Sequence, residues 1–283
     1  AIFPMKVAPI QVNYLGYTST TGGDHWNYLI ADKTIIPEQN KKYYSEKIVY
    51  LPNSYMVNVS KVKISEKLFT RQGVGLPAEG FVFYCFNNHY KISPTTFAGW
   101  MRILKAVDGS VLWLRDTKSM NKNNSKNNLK KEAKKHGIDE SRLVFARNML
   151  NEDHLSRQKL ADLFLDTLPY NAHITASDAL RMGLPVLTCI GEAFSGRVAA
   201  SILKAVNLPE MITATQEQYE RLAIELATNP EKLKIIKNKL ASNLPTAPLY
   251  DTPLFTKNLE AAYQVMYEKY QNDLNLDDIE IKN

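Results

Sequence analysis

One segment of the chain, residues 165–178, has residue types and a spacing that suit the binding of an anion. An apolar strand predicted over Leu160–Asp166 runs into a short turn, and a helix is predicted to begin near His173. Thr175 and Asp178 place short polar side chains at the start of this helix. Because the first N–H groups of a helix have no intrahelical partner, such a helix start suits a phosphate or pyrophosphate. An ordinary strand-to-helix turn capped by serine or threonine has the same local pattern, so both interpretations stay open.

From residue 80 onward, short apolar strands alternate with amphipathic helices, which predicts an α/β fold with a parallel sheet covered on both faces. Strands are predicted over Phe81–Phe86, Ser110–Arg115, Leu143–Ala146, Leu160–Asp166, Pro185–Cys189 and Met211–Thr213. Helices are predicted over Pro94–Val107, Ser125–His136, Asn151–Lys159, Ser177–Met182, Ser195–Val206, Gln216–Thr228, Glu231–Asn243 and Pro253–Tyr270. Right-handed crossovers bring every strand-to-helix turn to one edge of such a Rossmann-like sheet, where its ligands bind.

The turns expected at this edge are rich in hydrogen-bond donors. They are Asn87–Lys91, Arg147–Leu150, Asn171–His173 and Gly191–Arg197. No Gly-x-Gly-x-x-Gly follows the first strand of the sheet, and the chain has no Gly-Lys-Ser/Thr loop. The pattern therefore matches neither the nicotinamide fingerprint nor the P-loop.

Length and charge restrict the class of protein. With 283 residues and 45% hydrophobic content, the chain is long enough for one full domain and part of another. The net charge is +6, but 35 basic and 29 acidic residues are mixed along most of the chain, a mild excess for a nucleic-acid binder. Seven lysines between Lys118 and Lys135 accompany one acid, Glu132. A solvated helix explains this run, and a polyanion-binding face is the alternative.

Other residue types argue against metal and membrane sites. The two cysteines, Cys85 and Cys189, lie in apolar runs and are predicted to be reduced core residues. The five histidines have no metal-ligand spacing and no carboxylate cluster near them, so no metal ion is predicted. No apolar run reaches the length of a membrane span, and the first residues do not form a signal peptide. We expect a cytoplasmic protein without nucleic-acid or membrane partners, and the sequence favours no particular oligomeric state.

Three regions of the chain differ in amino-acid composition and predicted secondary structure. Residues 1–75 contain short apolar strands and a Ser/Thr/Gly loop, and we interpret them as the remnant of a second α/β unit. Within this region, the polar stretch 58–75 is a candidate linker. Residues 76–270 form the Rossmann-like domain. Residues 271–283 are acidic and poor in apolar side chains, which predicts a frayed tail.

Four blocks of residues carry a resemblance to a known family. In order, they are Ala8–Tyr17, Tyr44–Lys47, Phe86–Pro94, and the segment 165–178 continued by Gly191–Glu192 and Ser195–Ser201. Over most of the chain they resemble the catalytic region of O-linked N-acetylglucosamine transferases, especially the bacterial branch. The resemblance implies a GT-B-type fold with two Rossmann-like lobes. The C-terminal lobe, which would bind the UDP-sugar, is expected to be complete here and the N-terminal lobe partial.

The same resemblance implies an activity. The expected reaction is inverting, uses no metal ion or other cofactor, and moves N-acetylglucosamine from UDP-GlcNAc to a serine or threonine of a protein acceptor. Family members carry tetratricopeptide repeats and the first part of the N-terminal lobe ahead of the matching region. We therefore expect this chain to be a fragment of a longer protein, and no general base is assigned from its residues.

Family positions that bind the diphosphate map onto two of the turns. Lys91 matches the lysine that contacts the donor pyrophosphate, where its charge and helix N–H groups would stabilise the leaving diphosphate. Without the family context, a lone lysine after a strand is usually just exposed. His173, Ile174 and Thr175 match a His-Thr-Thr triplet whose backbone N–H groups and hydroxyls hold the phosphates. Because Ile174 lacks the hydroxyl of the first threonine, we expect a weakened phosphate site.

Other matches concern the nucleoside. Asp178 matches the acid that accepts hydrogen bonds from the ribose hydroxyls, although an acid early in a helix is also common as a dipole partner. His154 and Arg157 match positions that flank the uracil, and the Arg157 guanidinium suits stacking on a base. The alternative for these two residues is a pair on the exposed side of a short helix. Met149 lies where a backbone group would read the base edge.

Three further positions belong to the predicted substrate site or its rim. Asn88 stands where animal members have a glutamine, and Asn151 where they have a ribose-contacting lysine. Gly16 matches the loop beside the donor sugar, where a residue without a side chain lets substrate approach the backbone. An ordinary flexible loop has the same composition as this one.

Two other functions stay open on the sequence. The departures from the family pattern at Ile174, Asn88 and Asn151 suit a non-catalytic nucleotide-sugar-binding or scaffold module derived from the family. A transferase that uses another UDP-sugar is the second alternative, because nothing in these residues fixes the sugar.

Overall fold

A computed structural model describes residues 2–116 and 124–282 of the chain. Its strands are β1 (Val12–Asn13), β2 (Tyr28–Ala31), β3 (Lys47–Tyr50), β4 (Val82–Cys85), β5 (Val111–Arg115), β6 (Leu143–Ala146), β7 (Leu163–Leu165), β8 (Val186–Cys189), β9 (Ile212–Thr213) and β10 (Ile279–Glu280). Its helices are α1 (Pro94–Ala106), α2 (Asn124–Lys135), α3 (Asn151–Arg157), α4 (Ile174–Arg181), α5 (Val198–Ala205), α6 (Gln216–Thr228), α7 (Pro230–Asn243) and α8 (Thr252–Gln271). Lys118 and Lys122 of the predicted lysine-rich helix lie outside the described residues.

The larger sheet has six parallel strands in the order β6-β5-β4-β7-β8-β9. The chain moves outward from β4 to β6 and then returns to β7 on the other side of β4. This reversal makes the carboxyl ends of β4 and β7 the switch point, where an open α/β sheet leaves a crevice for ligands. The predicted α/β class is confirmed by this topology.

The central strands are buried on both faces, as their continuous apolar runs predict. Tyr84 on β4 stacks on Phe86 with ring centroids 4.1 Å apart. Its ring also contacts Trp113 on β5 at 5.9 Å and Phe164 on β7 at 5.2 Å. Packing of these large side chains fixes the spacing and register of β4, β5 and β7, and the site residues follow β4 and β7.

The predicted elements agree with the structure except at several ends. Helix α4 begins at Ile174, which confirms the start predicted near His173 and lies three residues before the Ser177 of the predicted range. Strand β7 covers only Leu163–Leu165 of the predicted strand. Helix α5 begins at Val198, because the preceding residues form a 3-10 turn over Phe194–Gly196. A Cβ at Gly196 would lie 2.9 Å from the Pro169 carbonyl oxygen, so glycine allows this turn to approach the neighbouring one.

The smaller sheet is also parallel, in the order β1-β2-β3-β10, and its last strand comes from the end of the chain. Ile279 and Ile281 are buried against a core that includes α8 residues Ala262 and Met266. The Asp278 carboxylate accepts a hydrogen bond of 2.8 Å from the Ile48 amide. The prediction of a frayed tail over 271–283 is therefore wrong for residues 279–281, which pack and pair. The alternation of Ile279 and Ile281 with polar residues is the period-two pattern of a half-buried strand.

Helix α8 packs on the smaller sheet, so the chain returns to its first lobe before residue 270. The predicted boundary at residue 270, which assigns α8 to the larger domain, therefore does not match this packing. The predicted linker 58–75 contains no α-helix or strand, only a 3-10 turn over Gln72–Val74. It is held at both ends: the Asn58 backbone amide donates to the Leu249 carbonyl oxygen at 2.9 Å, and the Arg71 side chain pairs with Asp162 at 2.9 Å.

Polar contacts join the lobes directly. The Ser201 hydroxyl on α5 donates to Asp32, which follows β2, at 2.5 Å. The Arg197 guanidinium donates to the Thr34 carbonyl oxygen at 2.7 Å. No helix in the described part of the chain is both long and apolar enough to span a bilayer.

Replacing Ile279 by alanine tests the terminal strand. The change removes a buried side chain from the smaller core, so Ile279→Ala should lower the free energy of unfolding by about 2 kcal/mol in urea denaturation. Leu276→Ala is the matched control, because Leu276 is 45% exposed and its loss should cost less than about 0.5 kcal/mol. Equal effects of the two variants would contradict the pairing of β10 with β3.

Candidate functional site

A fully buried carboxylate, Asp166, organises the turn that follows β7. It accepts hydrogen bonds from the Ala172 amide at 2.7 Å, the Thr167 amide at 2.8 Å and the Thr188 hydroxyl at 2.7 Å. Burial raises the pKa of Asp166 to about 6, and these hydrogen bonds act against the rise. Because two amides of this turn and a hydroxyl on β8 donate to one side chain, Asp166 fixes the path of residues 166–172.

Asn87, directly after β4, connects this turn to the neighbouring strand. Its side-chain NH2 donates to the Thr167 hydroxyl oxygen at 2.8 Å, and its carbonyl oxygen accepts from the Thr175 hydroxyl at 2.6 Å. The Thr175 hydroxyl proton is therefore already used within the protein. Thr175 is thus held in place by the other side of the switch point, which orients the first turn of α4.

Lys91 lies beside this helix start. It ends the 3-10 turn His89–Lys91 that follows β4, and its ammonium group donates to the Asn171 carbonyl oxygen at 2.8 Å. The ammonium nitrogen also lies 4.0 Å from the centre of the Tyr170 ring. Burial lowers the pKa of Lys91, and the charge of Asp166 acts in the opposite direction. The half-buried lysine is therefore held in place rather than freely exposed.

Helix α4 presents its first N–H groups to the same crevice. His173 precedes the helix without a side-chain cap, and its ring stacks on Tyr170 at 5.2 Å. Burial, followed by the charge of Lys91, lowers the pKa of His173 to about 4. Within the described part of the chain, His173 Nε2 and Asn171 Oδ1 are buried polar atoms without a hydrogen-bond partner. Buried polar atoms of this kind are usually satisfied by a ligand or water.

Two other predicted residues on α4 differ in their surroundings. Ile174 is 50% exposed, so its side chain points away from the core at the helix start. Asp178 is half-buried and accepts a hydrogen bond of 3.1 Å from the Asn58 side chain. Burial raises the pKa of Asp178, and the hydrogen bond from Asn58 opposes this rise. Asp178 is thus tied to the linker between the lobes and still has a second carboxylate oxygen.

His154 and Arg157 on α3 form one unit with the aromatic core. Arg157 is 2% exposed and its guanidinium lies over the rings of Phe86 and Trp113, at 5.0 and 5.7 Å. It donates to His154 Nδ1 at 2.9 Å and to the Arg147 carbonyl oxygen at 2.6 Å. The alternative of an exposed pair is wrong for Arg157. Its guanidinium packs against these two neighbouring rings, so the aromatic core holds it in place.

His154 is the member of this pair that reaches the crevice. Its ring stacks on Phe86 with centroids 5.5 Å apart, and burial together with the charge of Arg157 lowers its pKa to about 4. The rim of the same edge carries Asn88, which is exposed, and Met149, which is 37% exposed. The larger sheet therefore brings Lys91 close to the α4 triplet, and His154 on α3 reaches the same edge beside Phe86.

Gly16 lies on the other lobe, in the exposed loop after β1. A Cβ at this position would meet only the Tyr14 carbonyl oxygen, at 4.0 Å. The fold of the described residues therefore does not itself require glycine there. Gly16 is not in contact with the cluster around Lys91, and its predicted role beside a donor sugar stays a prediction.

Sequence reasoning missed three residues that hold this site together: Asp166, Asn87 and Asn58. An acid at the end of an otherwise apolar strand was the available signal for Asp166. Asn87 was visible only as part of a polar turn, and Asn58 only as part of a linker. In the described chain, no group of three or more histidine, cysteine or acidic side chains is arranged to hold a metal ion.

The two depressed histidine pKa values give a measurable consequence. His154 and His173 should titrate with midpoints near pH 4 in an NMR titration of the folded protein. In the urea-unfolded protein their midpoints should return to about 6.5. The folded state then binds fewer protons than the unfolded state between these values, so the free energy of unfolding should fall as the pH is lowered from about 6.5 to 4. Folded-state midpoints near 6.5 would show that neither imidazole is desolvated.

Comparison with known proteins agrees with this geometry. The model of Glycosyl transferase family 41 matches residues 1–63 and 58–259. A probable UDP-N-acetylglucosamine–peptide N-acetylglucosaminyltransferase SEC from Arabidopsis thaliana is 37% identical, over 94% of this chain and 27% of its own length. A probable transferase of the SPINDLY type from Petunia hybrida is 32% identical, over 94% of this chain and 28% of its own length. The chain thus spans less than a third of these relatives.

A solved structure supports the same assignment. An O-GlcNAc transferase mutant from Thermobaculum terrenum superposes with a TM-score of 0.82 at 30% identity, over 94% of this chain and 50% of that one. Anabaena Alr3699/HepE in complex with UDP, at 14% identity and a TM-score of 0.56, shares the fold. The predicted GT-B-type fold and the resemblance to O-linked N-acetylglucosamine transferases are confirmed, and the chain belongs to glycosyl transferase family 41.

Proposed function

We propose that this chain forms the nucleotide-sugar site of a protein O-glycosyltransferase that moves N-acetylglucosamine from UDP-GlcNAc to serine or threonine. The observation that carries this proposal is the convergence of Lys91, the α4 amides and the unpartnered His173 Nε2 at the switch point of the larger sheet. The relatives from Arabidopsis and Petunia, both probable UDP-N-acetylglucosamine–peptide N-acetylglucosaminyltransferases, support the donor and the peptide acceptor.

The diphosphate would lie at the start of α4. The N–H groups of Ile174 and Thr175 have no intrahelical partner and carry the positive end of the helix dipole. Lys91 supplies a full positive charge beside them, held at 2.8 Å from the Asn171 carbonyl oxygen. When the glycosidic bond to the diphosphate breaks, negative charge grows on the leaving group, and donors already in place stabilise it without rearranging.

The nucleoside would extend from α4 towards α3. Asp178 keeps one carboxylate oxygen free of the Asn58 contact and suits two neighbouring ribose hydroxyls, which are both donors. His154 forms the wall on which the uracil would lie, backed by Phe86, and Met149 lies at the open rim. Arg157 would act on the base indirectly, because its hydrogen bond to Nδ1 orients the His154 ring.

The chemistry follows from this arrangement. The acceptor hydroxyl would attack the anomeric carbon from the face opposite UDP, which inverts the configuration at that carbon. The carbon–oxygen bond to the diphosphate would break, with the electron pair going to UDP, and the acceptor hydroxyl would pass its proton to a phosphate oxygen of that leaving group. Lys91 and the α4 amides would offset the charge that a divalent cation offsets in other transferases. Holding donor and acceptor in line would supply much of the rate enhancement.

Calorimetry with UDP tests the nucleotide site. The protein should bind UDP with a saturable heat, and Lys91→Ala should weaken the affinity by roughly 10- to 100-fold, because one charge-assisted hydrogen bond is lost. Lys105→Ala is the matched control, since Lys105 is exposed near the end of α1, at the opposite edge of the sheet. A flat titration of the folded wild-type protein would reject the proposal. UDP binding without any sugar transfer by the intact protein would favour the non-catalytic module.

Ile174 offers a second test through a gain of binding. Ile174→Thr restores the hydroxyl of the family triplet at an exposed helix-start position, and it should raise UDP affinity by about three- to tenfold. Ile174→Val is the control, because valine has the shape of threonine without its hydroxyl, and its affinity should stay at the wild-type value. Equal affinities of the threonine and valine variants would show that no phosphate oxygen lies near this side chain.

A further inference from the structure

A buried carboxylate on the smaller lobe, Glu46, has no part in the nucleotide site described above. It precedes β3 and is 4% exposed. Its oxygens accept hydrogen bonds from the Thr20 hydroxyl at 2.6 Å, the Thr21 amide at 2.9 Å, the Thr21 hydroxyl at 3.0 Å and the Ser45 hydroxyl at 3.2 Å. Burial alone raises the pKa of Glu46, but the hydrogen bonds from Thr20 and Thr21 outweigh it and lower the pKa.

Three of these four donors belong to one loop, residues 18–23, between β1 and β2. The loop has little other structure to hold it: Gly22 adopts a positive φ of 69°, and its amide donates back to the Thr20 hydroxyl at 3.1 Å. The Ser45 hydroxyl, next to Glu46, donates to the Gly23 carbonyl oxygen at 3.1 Å. An ionised carboxylate is costly to bury without donors, so Glu46 and the loop stabilise each other's positions.

This loop forms one wall of a cavity of about 590 Å³ between the lobes. Ser19, Thr20 and Tyr44 line the cavity from the smaller lobe, and Phe194 and Arg197 line it from the larger lobe. The shape of the loop held by Glu46 therefore decides the shape of this wall.

The opposite wall of the cavity is continuous with the nucleotide site. The Asn171 amide donates to the Ser195 carbonyl oxygen at 2.9 Å, and Gly196 packs against Pro169. Asn171 is the residue whose carbonyl oxygen holds Lys91. A molecule whose diphosphate lies at the start of α4 would therefore extend its remaining part towards this cavity and the 18–23 loop.

We propose, on the basis of the proposed function, that Glu46 is a positioning residue that holds the 18–23 loop against the sugar part of the nucleotide sugar. Glu46 touches no nucleotide-binding residue, so its effect is confined to the sugar. The nucleotide is held by the other lobe and does not depend on it. The structure thus separates recognition of the donor into a nucleotide half on the larger lobe and a sugar half on the smaller one.

The ratio of affinities for UDP-GlcNAc and UDP tests this division. Glu46→Gln keeps the size of the side chain but turns one acceptor oxygen into a donor that faces the loop amides and hydroxyls. Calorimetry should show UDP binding unchanged within about twofold, and UDP-GlcNAc binding weakened by about tenfold, the effect of one lost charge-assisted hydrogen bond. Glu66→Gln is the control for the charge change, because Glu66 is exposed on the linker. It should leave both affinities unchanged.

A second variant protects the test against a misfolded protein. Thr20→Val removes the shortest hydrogen bond to Glu46, together with the bond from the Gly22 amide to the same hydroxyl, and keeps the Glu46 charge and its other donors. It should shift the same ratio in the same direction by a smaller factor. If the wild-type protein binds UDP and Glu46→Gln leaves the ratio unchanged, the inference is wrong while the proposed function stands. Equal weakening of UDP and UDP-GlcNAc also overturns it. If the wild-type protein binds no UDP, both the proposed function and this inference are wrong.

Discussion

The candidate site depends on one buried charge, the carboxylate of Asp166. Its donors come from both ends of the turn after β7, at Thr167 and Ala172, and from Thr188 on β8, so a single side chain joins this turn to the neighbouring strand. Such a carboxylate is stable in the interior only while its donors stay in place. The path of residues 166–172 is therefore fixed, and with it the Asn171 carbonyl oxygen that holds Lys91 and the direction in which α4 begins.

Topology explains why these groups meet. Strands β4 and β7 are neighbours in the sheet although about eighty residues separate them, so Asn87 and Lys91 on one side face Thr167 and Asn171 on the other. The sequence predicted the strands, the helix start and the polar turns, because these follow from local periodicity. It did not predict which turn residues pair, since pairing follows from strand order. The roles of Asp166, Asn87 and Asn58 were hidden for this reason.

The predictions that failed, the frayed tail and the exposed alternative for Arg157, also depend on contacts with distant segments. Local composition made the last residues look solvated, but Ile279 and Ile281 complete a sheet whose other strands lie more than two hundred residues earlier. The alternative that placed Arg157 on the exposed side of a short helix failed because the rings of Phe86 and Trp113 pack against its guanidinium. A buried guanidinium needs acceptors, and the Arg147 carbonyl oxygen and His154 supply them. In both cases a distant segment provides the environment, which local sequence does not report.

The structure explains why the chain tolerates Ile174 in place of the first threonine of the family triplet. The Thr175 hydroxyl donates to Asn87, so the helix start already gives up one hydroxyl proton to internal structure. Ile174 is half-exposed and contributes no donor from its side chain. What faces the crevice is then a set of backbone amides, one ammonium group and one neutral imidazole, none of which depends on the identity of residue 174. An anion site built mainly from backbone tolerates isoleucine there, because the side chain replaces a supporting contact rather than the main one.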